Sequence, residues 1–242
     1  MDKQLLKLRL HRLAVTLIRP TTWLSLKHRI AAPAEHLGVL RTLSVDGIID
    51  VGANKGQFTL ACRMVLPCVP VVAFEPIPSE AATFRKVHGK FANVTLIESA
   101  LGETNGRATL HLSRSADSSS LLPIGRRQIE LFQHSAEVGT MEVVVQRLDN
   151  LATHWPQRIR QLLKLDVQGF ELNVLRGAVE TLRSCSYVYA ECSEVALYEG
   201  QALRAEVASF LKENGFGEPI LYNPYFDDQG QLIQGDYLFT RR

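Results

Sequence analysis

Residues 45–56 read VDGIIDVGANKG, and this stretch decides the fold. Its first half is a run rich in β-branched apolar residues, which predicts a buried strand that ends near Val51. Two glycines follow, Gly52 and Gly56, at a strand-to-helix turn where the backbone can approach a ligand closely. We therefore expect a nucleotide-like ligand at the start of the next helix.

The spacing of these glycines separates two classes of nucleotide-binding protein. Dinucleotide-binding proteins carry G-x-G-x-x-G, whose second glycine admits a pyrophosphate. Here three other residues separate Gly52 from Gly56, and Asn54 stands where that second glycine would be. The pattern D-x-G-x-x-x-G, which begins at Asp50, disfavours NAD and resembles the S-adenosylmethionine loop of class I methyltransferases. A glycine turn that merely joins strand to helix is the alternative.

Strand and helix patterns alternate along most of the chain, which predicts an α/β fold with a doubly wound, mostly parallel sheet and an antiparallel C-terminal strand. Residues 34–242 are predicted to form one domain. The predicted strands are residues 45–51, 70–74, 93–97, 107–112, 141–146, 162–167, 186–191, 219–222 and 236–240, and the predicted helices are residues 57–66, 79–88, 170–182 and 202–214. We expect residues 113–140 to be a loop insertion and residues 223–235 to be rich in turns.

Length and composition exclude several classes of protein. With 242 residues, 46% hydrophobic and 21% charged, the chain is typical of one globular α/β domain. Its four cysteines lie at neither zinc-ligand nor disulfide-framework spacing, so we expect reduced thiols, no metal and a cytoplasmic protein. The longest apolar run, residues 65–74, is interrupted by two prolines and is too short to span a membrane.

The formal net charge of +2 is unevenly distributed along the chain. Residues 1–30 hold seven Lys and Arg against one acid and so carry +6, which leaves −4 on the remainder. Leucines at helical spacing between Leu6 and Leu17 predict a basic amphipathic helix in an N-terminal extension, residues 1–33. This helix either packs on the domain or makes peripheral contact with an anionic membrane at its inner face. No nucleic-acid partner is expected, because the acidic remainder offers little phosphate-binding surface.

Two acidic or polar positions follow the second and third predicted strands. Glu75 comes 25 residues after Asp50, at the interval and strand end where a carboxylate accepts hydrogen bonds from both ribose hydroxyls. Ser99, at the end of the third strand, lies where the hydroxyl and backbone amide can read an adenine edge. The alternatives are a solvated acid at Glu75 and an ordinary polar turn at Ser99.

Two further acids follow the later strands. Period-two geometry places Lys164 and Asp166 on one side of a strand, with Asp166 at the carboxyl edge where open α/β sheets bind ligands. Glu191 ends the next strand and should face the same crevice. Either carboxylate can act as a base, bind acceptor hydroxyls or help to hold a metal.

These motifs together carry a family resemblance. IIDVGANKG, AFEPIP, SALGE, the serine-rich SSS, QRLDNL, LLKLDVQGFELNVLRGA and YAEC, over residues 46–198, resemble the FkbM-type methyltransferases. The resemblance implies S-adenosyl-L-methionine as cofactor and methylation of hydroxyl oxygens on sugars, glycans or secondary metabolites. It also implies roles for particular residues. Asp50, Gly52, Asn54 and Gly56 would form the cofactor loop, Glu75 the ribose contact and Ser99 the adenine side, with Asp166 and Glu191 as reaction-side acids.

Alternatives to this function remain open. The acceptor can instead be an amine or a protein side chain, and a cofactor-binding module without turnover, recruited to a membrane or complex, belongs to a different class. A metal route through Asp166 is less favoured, because the paired Asp-Asn expected after the fourth strand is missing. The sequence does not name the acceptor, the general base or the oligomeric state.

Overall fold

The structure is a computed structural model that describes Ser25, Lys27, His28, Ile30 and residues 33–151 and 160–242. The predicted basic helix of the N-terminal extension, Leu6 to Leu17, lies outside the described residues. Among the helices that are described, none has the length and apolarity needed to cross a membrane.

The described ranges contain a seven-stranded sheet in the order β3-β2-β1-β7-β8-β10-β9 and a smaller sheet in the order β4-β6-β5. The strands are β1 (Gly47–Val51), β2 (Val71–Phe74), β3 (Val94–Ile97), β4 (Ala100–Leu101), β5 (Gly106–Ser113), β6 (Glu137–Gln146), β7 (Gln161–Leu165), β8 (Cys185–Ser193), β9 (Ile220–Phe226) and β10 (Leu232–Thr240). The helices are α1 (Leu37–Thr42), α2 (Gln57–Val65), α3 (Pro78–His88), α4 (Arg126–Leu131), α5 (Leu148–Leu151), α6 (Glu171–Arg176), α7 (Val179–Leu182) and α8 (Arg204–Glu213).

Strand β1, which forms the first half of the motif VDGIIDVGANKG, lies at the centre of the large sheet. β1 pairs in parallel with β2 on one side and with β7 on the other, and all five of its residues are buried. The chain order reverses between these neighbours, so the carboxyl ends of β1 and β7 open a crevice at the switch point of the sheet. β10 runs antiparallel to both β8 and β9. The predicted fold class is therefore confirmed.

The core forms two layers because each face of the buried sheet is covered by helices. Leu163, Leu165 and Val188 pack on one face with the side chains of α6 and α8. On the other face, Leu162 and Tyr189 pack with α1 and α2. The helices α1 and α2 therefore lie on the second face of the sheet, next to the crevice.

The segment predicted as a loop insertion, residues 113–140, has secondary structure of its own. It includes a 3-10 turn at Ala116–Ser118 and α4, and its ends belong to β5 and β6. β5 and β6 pair antiparallel in the smaller sheet. The segment projects over the carboxyl edge of the large sheet, where it lines both cavities described below.

Two element predictions were wrong in detail. The single helix predicted over residues 170–182 is two short helices. They separate at Gly177, where the chain packs so closely against Gly102 that a Cβ would overlap its carbonyl oxygen. The turns predicted over residues 223–235 belong mostly to β9 and β10. Pro224 is accommodated because β9 is an edge strand, and its pairing with β10 carries register shifts.

Candidate functional site

Two cavities open at the carboxyl edge of the large sheet. The first has a volume of about 630 Å³ and runs over the ends of β1, β2 and β3. The second, about 1800 Å³, extends toward β8, β10 and the N-terminal helices. The residues that line both are Gly52, Asn54, Asp117, Asp166 and Gln168. The two cavities therefore meet at the ends of β1 and β7, and a group bound in one can reach a group bound in the other.

The glycine turn brings β1 and β7 together. Gly52 has a φ of 77°, and a Cβ there would overlap with the carbonyl oxygen of Asp166. Asn54 is also left-handed, with a φ of 50°, and its backbone N–H donates to Glu75 Oε2 at 2.8 Å. Gly56 packs against the ring of His88, where no side chain would fit. These contacts leave the backbone of the turn at Gly52 and Asn54 accessible from the first cavity.

Glu75 is fixed at the end of β2 with its carboxylate in the first cavity. Oε2 accepts the Asn54 N–H, and Oε1 accepts the Ile77 N–H at 2.7 Å. Burial raises the pKa of Glu75 to about 7, in spite of these two hydrogen bonds. Each carboxylate oxygen accepts a second hydrogen bond readily, so the pair retains acceptor sites for two ligand hydroxyls.

Ser99 lies between Glu75 and the smaller sheet. Its hydroxyl is buried, lines the first cavity and has no hydrogen-bond partner among the described residues. A buried polar atom of this kind is rare in a folded protein and points to a partner that binds later. Its position at the end of β3 is the one expected from the sequence.

Asp50 occupies a different environment from the one expected. It is completely buried, its Oδ2 accepts the Thr59 hydroxyl at 2.7 Å, and neither cavity of the described chain is lined by it. Burial raises the pKa of Asp50 although Lys164 and Thr59 oppose this. Gly56 also lines neither of these cavities. Both residues therefore lie beneath the glycine turn, Asp50 against Thr59 and Gly56 against His88, and neither forms part of the cavity wall.

A connected polar group lies where the cavities meet. Lys164 Nζ donates to Asp166 Oδ2 at 2.9 Å, and Gln168 Nε2 donates both to Asp166 Oδ1 at 2.8 Å and to Glu191 Oε2 at 2.9 Å. The Asp166 side chain is 37% exposed and open to both cavities, whereas Lys164 is 4% exposed. The structure therefore brings the two predicted reaction-side acids together through one amide.

The two acids have different protonation behaviour. Burial alone would raise the pKa of Asp166, but the Lys164 ammonium and the Gln168 hydrogen bond outweigh it and lower that pKa. Burial, followed by the charges of Asp166 and Asp236, raises the pKa of Glu191 well above its ordinary value. The pKa values of these two neighbouring carboxyls are therefore shifted in opposite directions.

Gln168 was not expected from sequence reasoning. It has a left-handed backbone, with a φ of 54°, and its Oε1 accepts the Tyr198 hydroxyl at 2.8 Å. Its carbonyl accepts the Ser120 hydroxyl at 2.7 Å, which ties it to residues 113–140. The only signal in the sequence is a polar residue directly before Gly169, at the end of a predicted strand.

The second cavity has a mixed lining. Its aromatic part is the pair Phe132 and Tyr225, whose ring centroids lie 4.9 Å apart. Its polar part includes Glu191, Asp236 and His36. No group of three or more His, Cys, Asp or Glu side chains in the described ranges is arranged to hold a metal ion.

A doubly wound sheet with antiparallel C-terminal strands and a cavity over its glycine turn defines a class I S-adenosylmethionine-dependent methyltransferase. Residues 50–217 match the methyltransferase FkbM domain. The chain therefore belongs to the FkbM methyltransferase family, as the motifs of residues 46–198 predicted.

Several characterised proteins are similar to this chain. The 2-O-methyltransferase NoeI of Sinorhizobium fredii is 29% identical over 202 residues, which are 81% of this chain and 80% of that protein. Methyltransferase 1 of Beauveria bassiana is 30% identical over 146 residues, 54% of this chain and 57% of that protein. Among solved structures, Aeropyrum pernix fibrillarin with bound S-adenosyl-L-methionine has a TM-score of 0.47 at 11% identity, covering 82% of this chain and 67% of that one.

The residues of the first cavity fit S-adenosylmethionine. The partnerless Ser99 hydroxyl, the two acceptor oxygens of Glu75 and the open turn at Gly52 meet the needs of an adenine, a ribose and an amino-acid group in one cavity.

Proposed function

We propose that this methyltransferase methylates a hydroxyl oxygen of a sugar, a glycan or a similarly hydroxylated secondary metabolite. The observation that carries this proposal is the place of Asp166, whose partly exposed carboxylate lines both cavities. An ionised carboxylate at that junction is suited to accept a hydrogen bond from an acceptor hydroxyl and so to orient its oxygen.

The first cavity is assigned to the cofactor on the basis of its contacts. Glu75 would bind the ribose hydroxyls, Ser99 the adenine, and the backbone of Gly52 and Asn54 the amino-acid end. When bound, S-adenosylmethionine supplies an electrophilic methyl group. Asp50 and Gly56 support the turn, since burial holds them behind it.

The second cavity is assigned to the acceptor. Asp166 holds the acceptor hydroxyl, and Glu191, which is joined to Asp166 through the Gln168 amide, lines the same cavity as a second polar contact for the acceptor. Sugars commonly combine hydrogen bonds to such side chains with apolar contact against aromatic rings, and the Phe132–Tyr225 pair offers that contact. The similarity to a protein named as a 2-O-methyltransferase supports an oxygen acceptor.

One assay tests this proposal. The purified protein is incubated with S-adenosylmethionine and a panel of methyl glycosides that present free 2-hydroxyls, and formation of S-adenosylhomocysteine and methylated glycoside is followed by mass spectrometry. Methyl ethers are the expected product. Methyl transfer only to amines or to protein side chains would show that the acceptor is not a hydroxyl. Cofactor binding without any transfer would indicate a binding module.

We further propose that residues 1–30 contact an anionic membrane surface. Their charge of +6 favours attraction to acidic lipid, and salt should weaken it. Sedimentation with phosphatidylglycerol-containing vesicles, compared for the full chain and a chain lacking residues 1–30, tests this contact. Equal sedimentation of the two proteins would contradict it.

A further inference from the structure

We propose that His36 accepts the proton of the acceptor hydroxyl during methyl transfer, a role that rests on the proposed hydroxyl methylation. His36 precedes residues 50–217, the part of the chain that matches the family. The structure nevertheless places it in the wall of the acceptor cavity together with Lys164 and Asp166.

Packing fixes the ring of His36. It ends the 3-10 turn Ala34–His36, and its ring stands edge-on to Phe58 and Tyr189 at centroid distances of 5.4 and 5.6 Å. Its side chain is 15% exposed, so one edge remains accessible from the cavity. A base whose ring is already held in place loses little conformational entropy when the acceptor binds.

The hydrogen bonds around His36 favour one tautomer. Nδ1 lies 3.0 Å from the Tyr189 hydroxyl oxygen and 3.7 Å from Asp236 Oδ2. Burial and then the charge of Asp236 raise the pKa of the Tyr189 hydroxyl. Asn223 Nδ2 donates to both groups, at 3.2 Å to Tyr189 and 2.8 Å to Asp236.

The carboxylate of Asp236 lies on the Nδ1 side of the ring and so favours the tautomer with the proton on Nδ1, which the Tyr189 oxygen accepts. Nε2, which has no hydrogen-bond partner in the described part of the chain, then carries the free lone pair. A carboxylate that fixes the far nitrogen of a histidine is a recurrent way to make the near nitrogen a proton acceptor.

The other groups at the junction are less suited to take the proton. Asp166 is already paired with Lys164, and its pKa is lowered, which makes it a weak base. Lys164 is charged, because Asp166 and Asp50 raise its pKa against the effect of burial. Both oxygens of Glu191 already accept hydrogen bonds, from Gln168 Nε2 at 2.9 Å and from Gln234 Nε2 at 3.0 Å.

His36 is neutral at pH 7. Burial lowers its pKa and Lys164 acts in the same direction, whereas Asp236, Glu35 and Asp166 oppose them without reversing the shift. A neutral imidazole is the form that can accept a proton.

The step balances in atoms and charge. The acceptor oxygen bonds to the methyl carbon as the carbon–sulfur bond breaks, and the oxygen loses its proton to Nε2. The positive charge that leaves sulfur appears on the imidazolium, where Asp236 stabilises it. The proton can then pass to water when the product leaves.

The first test needs no acceptor. The full chain, labelled with ¹⁵N in its histidine rings, is examined by long-range ¹H–¹⁵N correlation at pH 7, and His36→Asn identifies the His36 signals. We expect a neutral ring with the proton on Nδ1, and a shift of this equilibrium in Asp236→Asn. A proton on Nε2, or a charged ring at pH 7, would overturn the proposal.

The second test measures transfer. His36→Asn keeps an amide donor near Tyr189 but has no basic nitrogen, and His111→Asn is the matched control, because His111 pairs with Glu137 outside both cavities. With a methyl glycoside that the unsubstituted protein methylates, we expect His36→Asn to lose about 100-fold or more in kcat with unchanged melting and nearly unchanged cofactor Kd. Its kcat should also lose the fall at acidic pH that protonation of His36 causes in the unsubstituted protein.

The outcomes separate the two proposals. Normal kcat in a folded His36→Asn would overturn the role of His36 and leave hydroxyl methylation intact. Absence of glycoside methylation by the unsubstituted protein would count against the proposed function, and then the role of His36 in that reaction falls with it, whatever tautomer the ring adopts.

Discussion

Lys164 Nζ lies 2.9 Å from Asp166 Oδ2, and both side chains leave the same face of the strand end at β7. The ammonium is buried and stands beside a second carboxylate, because Lys164 pairs with Asp50 in the register of β1 and β7. One buried cation therefore links the support of the glycine turn to the carboxylate at the junction of the two cavities.

Asp166→Asn should abolish most turnover while the cofactor still binds. Asparagine nearly preserves the shape of the side chain but removes the negative charge that we propose orients the acceptor hydroxyl. We expect kcat to fall at least 100-fold, with the cofactor Kd from calorimetry changed by a few-fold at most. Asp228→Asn, an exposed aspartate in the β9–β10 turn, is the control and should leave both values unchanged. Full turnover in Asp166→Asn would exclude the assigned role.

Lys164→Met should destabilise the fold in a pH-dependent way. The substitution leaves the buried carboxylate of Asp50 without its cation, and removal of one partner from a buried ion pair costs about 3–5 kcal/mol. The loss at Asp166 is smaller, because its side chain is partly exposed and solvent screens its charge. The loss in melting temperature should be larger at pH 8 than at pH 5, where the two acids protonate more readily. Lys212→Met, which removes only an exposed pair with Glu218, should shift melting little. An equal loss at both pH values would contradict this origin of the instability.

Glu75→Ala should weaken cofactor binding. It removes the proposed acceptor of two ribose hydrogen bonds, and such bonds to an ionised carboxylate contribute about 1.5–3 kcal/mol. We therefore expect calorimetry to show a rise in the cofactor Kd of roughly 10-fold or more, with a folded protein by circular dichroism. Glu98→Ala is the matched control, because Glu98 is exposed and pairs with Arg85 outside the cavities. An unchanged Kd for Glu75→Ala would remove Glu75 from the cofactor site.

The part of the site that is local in sequence could be predicted. Gly52, Asn54, Glu75 and Ser99 each follow a strand directly, and parallel strands bring their carboxyl ends to one edge of the sheet. Their positions in the cavity therefore follow from strand order alone. The interior location of Asp50 could not be read in this way, because helices cover both faces of β1 and only the packed structure shows that Asp50 bonds Thr59 of α2.

The features that the sequence did not reveal depend on contacts distant along the chain. His36 reaches the acceptor cavity because α1 and α2 pack on the sheet face that carries Tyr189. The break between α6 and α7 has a similar cause. Asp149 accepts the N–H and the hydroxyl of Thr181 at 2.8 and 2.9 Å, so a side chain from another helix caps α7. The sequence of residues 170–182 contains no pattern that indicates this cap.

Glu171→Gln should stabilise the protein above neutral pH. Glu171 is buried at the start of α6, and burial raises its pKa from the ordinary 4.5 to about 7. An acid whose pKa is raised by folding contributes fully below its unfolded value, and that stability is lost as the pH rises from about 4.5 through 7. The shift corresponds to a cost of about 3 kcal/mol once the group is ionised.

Glutamine should keep the contacts of Glu171 and avoid this cost. The N–H groups of Val167 and Gly169 both donate to Oε1, at 3.2 and 3.1 Å, so one carbonyl oxygen can replace that acceptor. Denaturant unfolding should therefore show Glu171→Gln to be more stable than the unsubstituted protein at pH 8 and similar to it at pH 5. Glu213→Gln, at an exposed position at the end of α8, should leave the pH dependence unchanged. Destabilisation of Glu171→Gln at pH 8 would mean that the fold requires the ionised carboxylate and that burial does not raise its pKa.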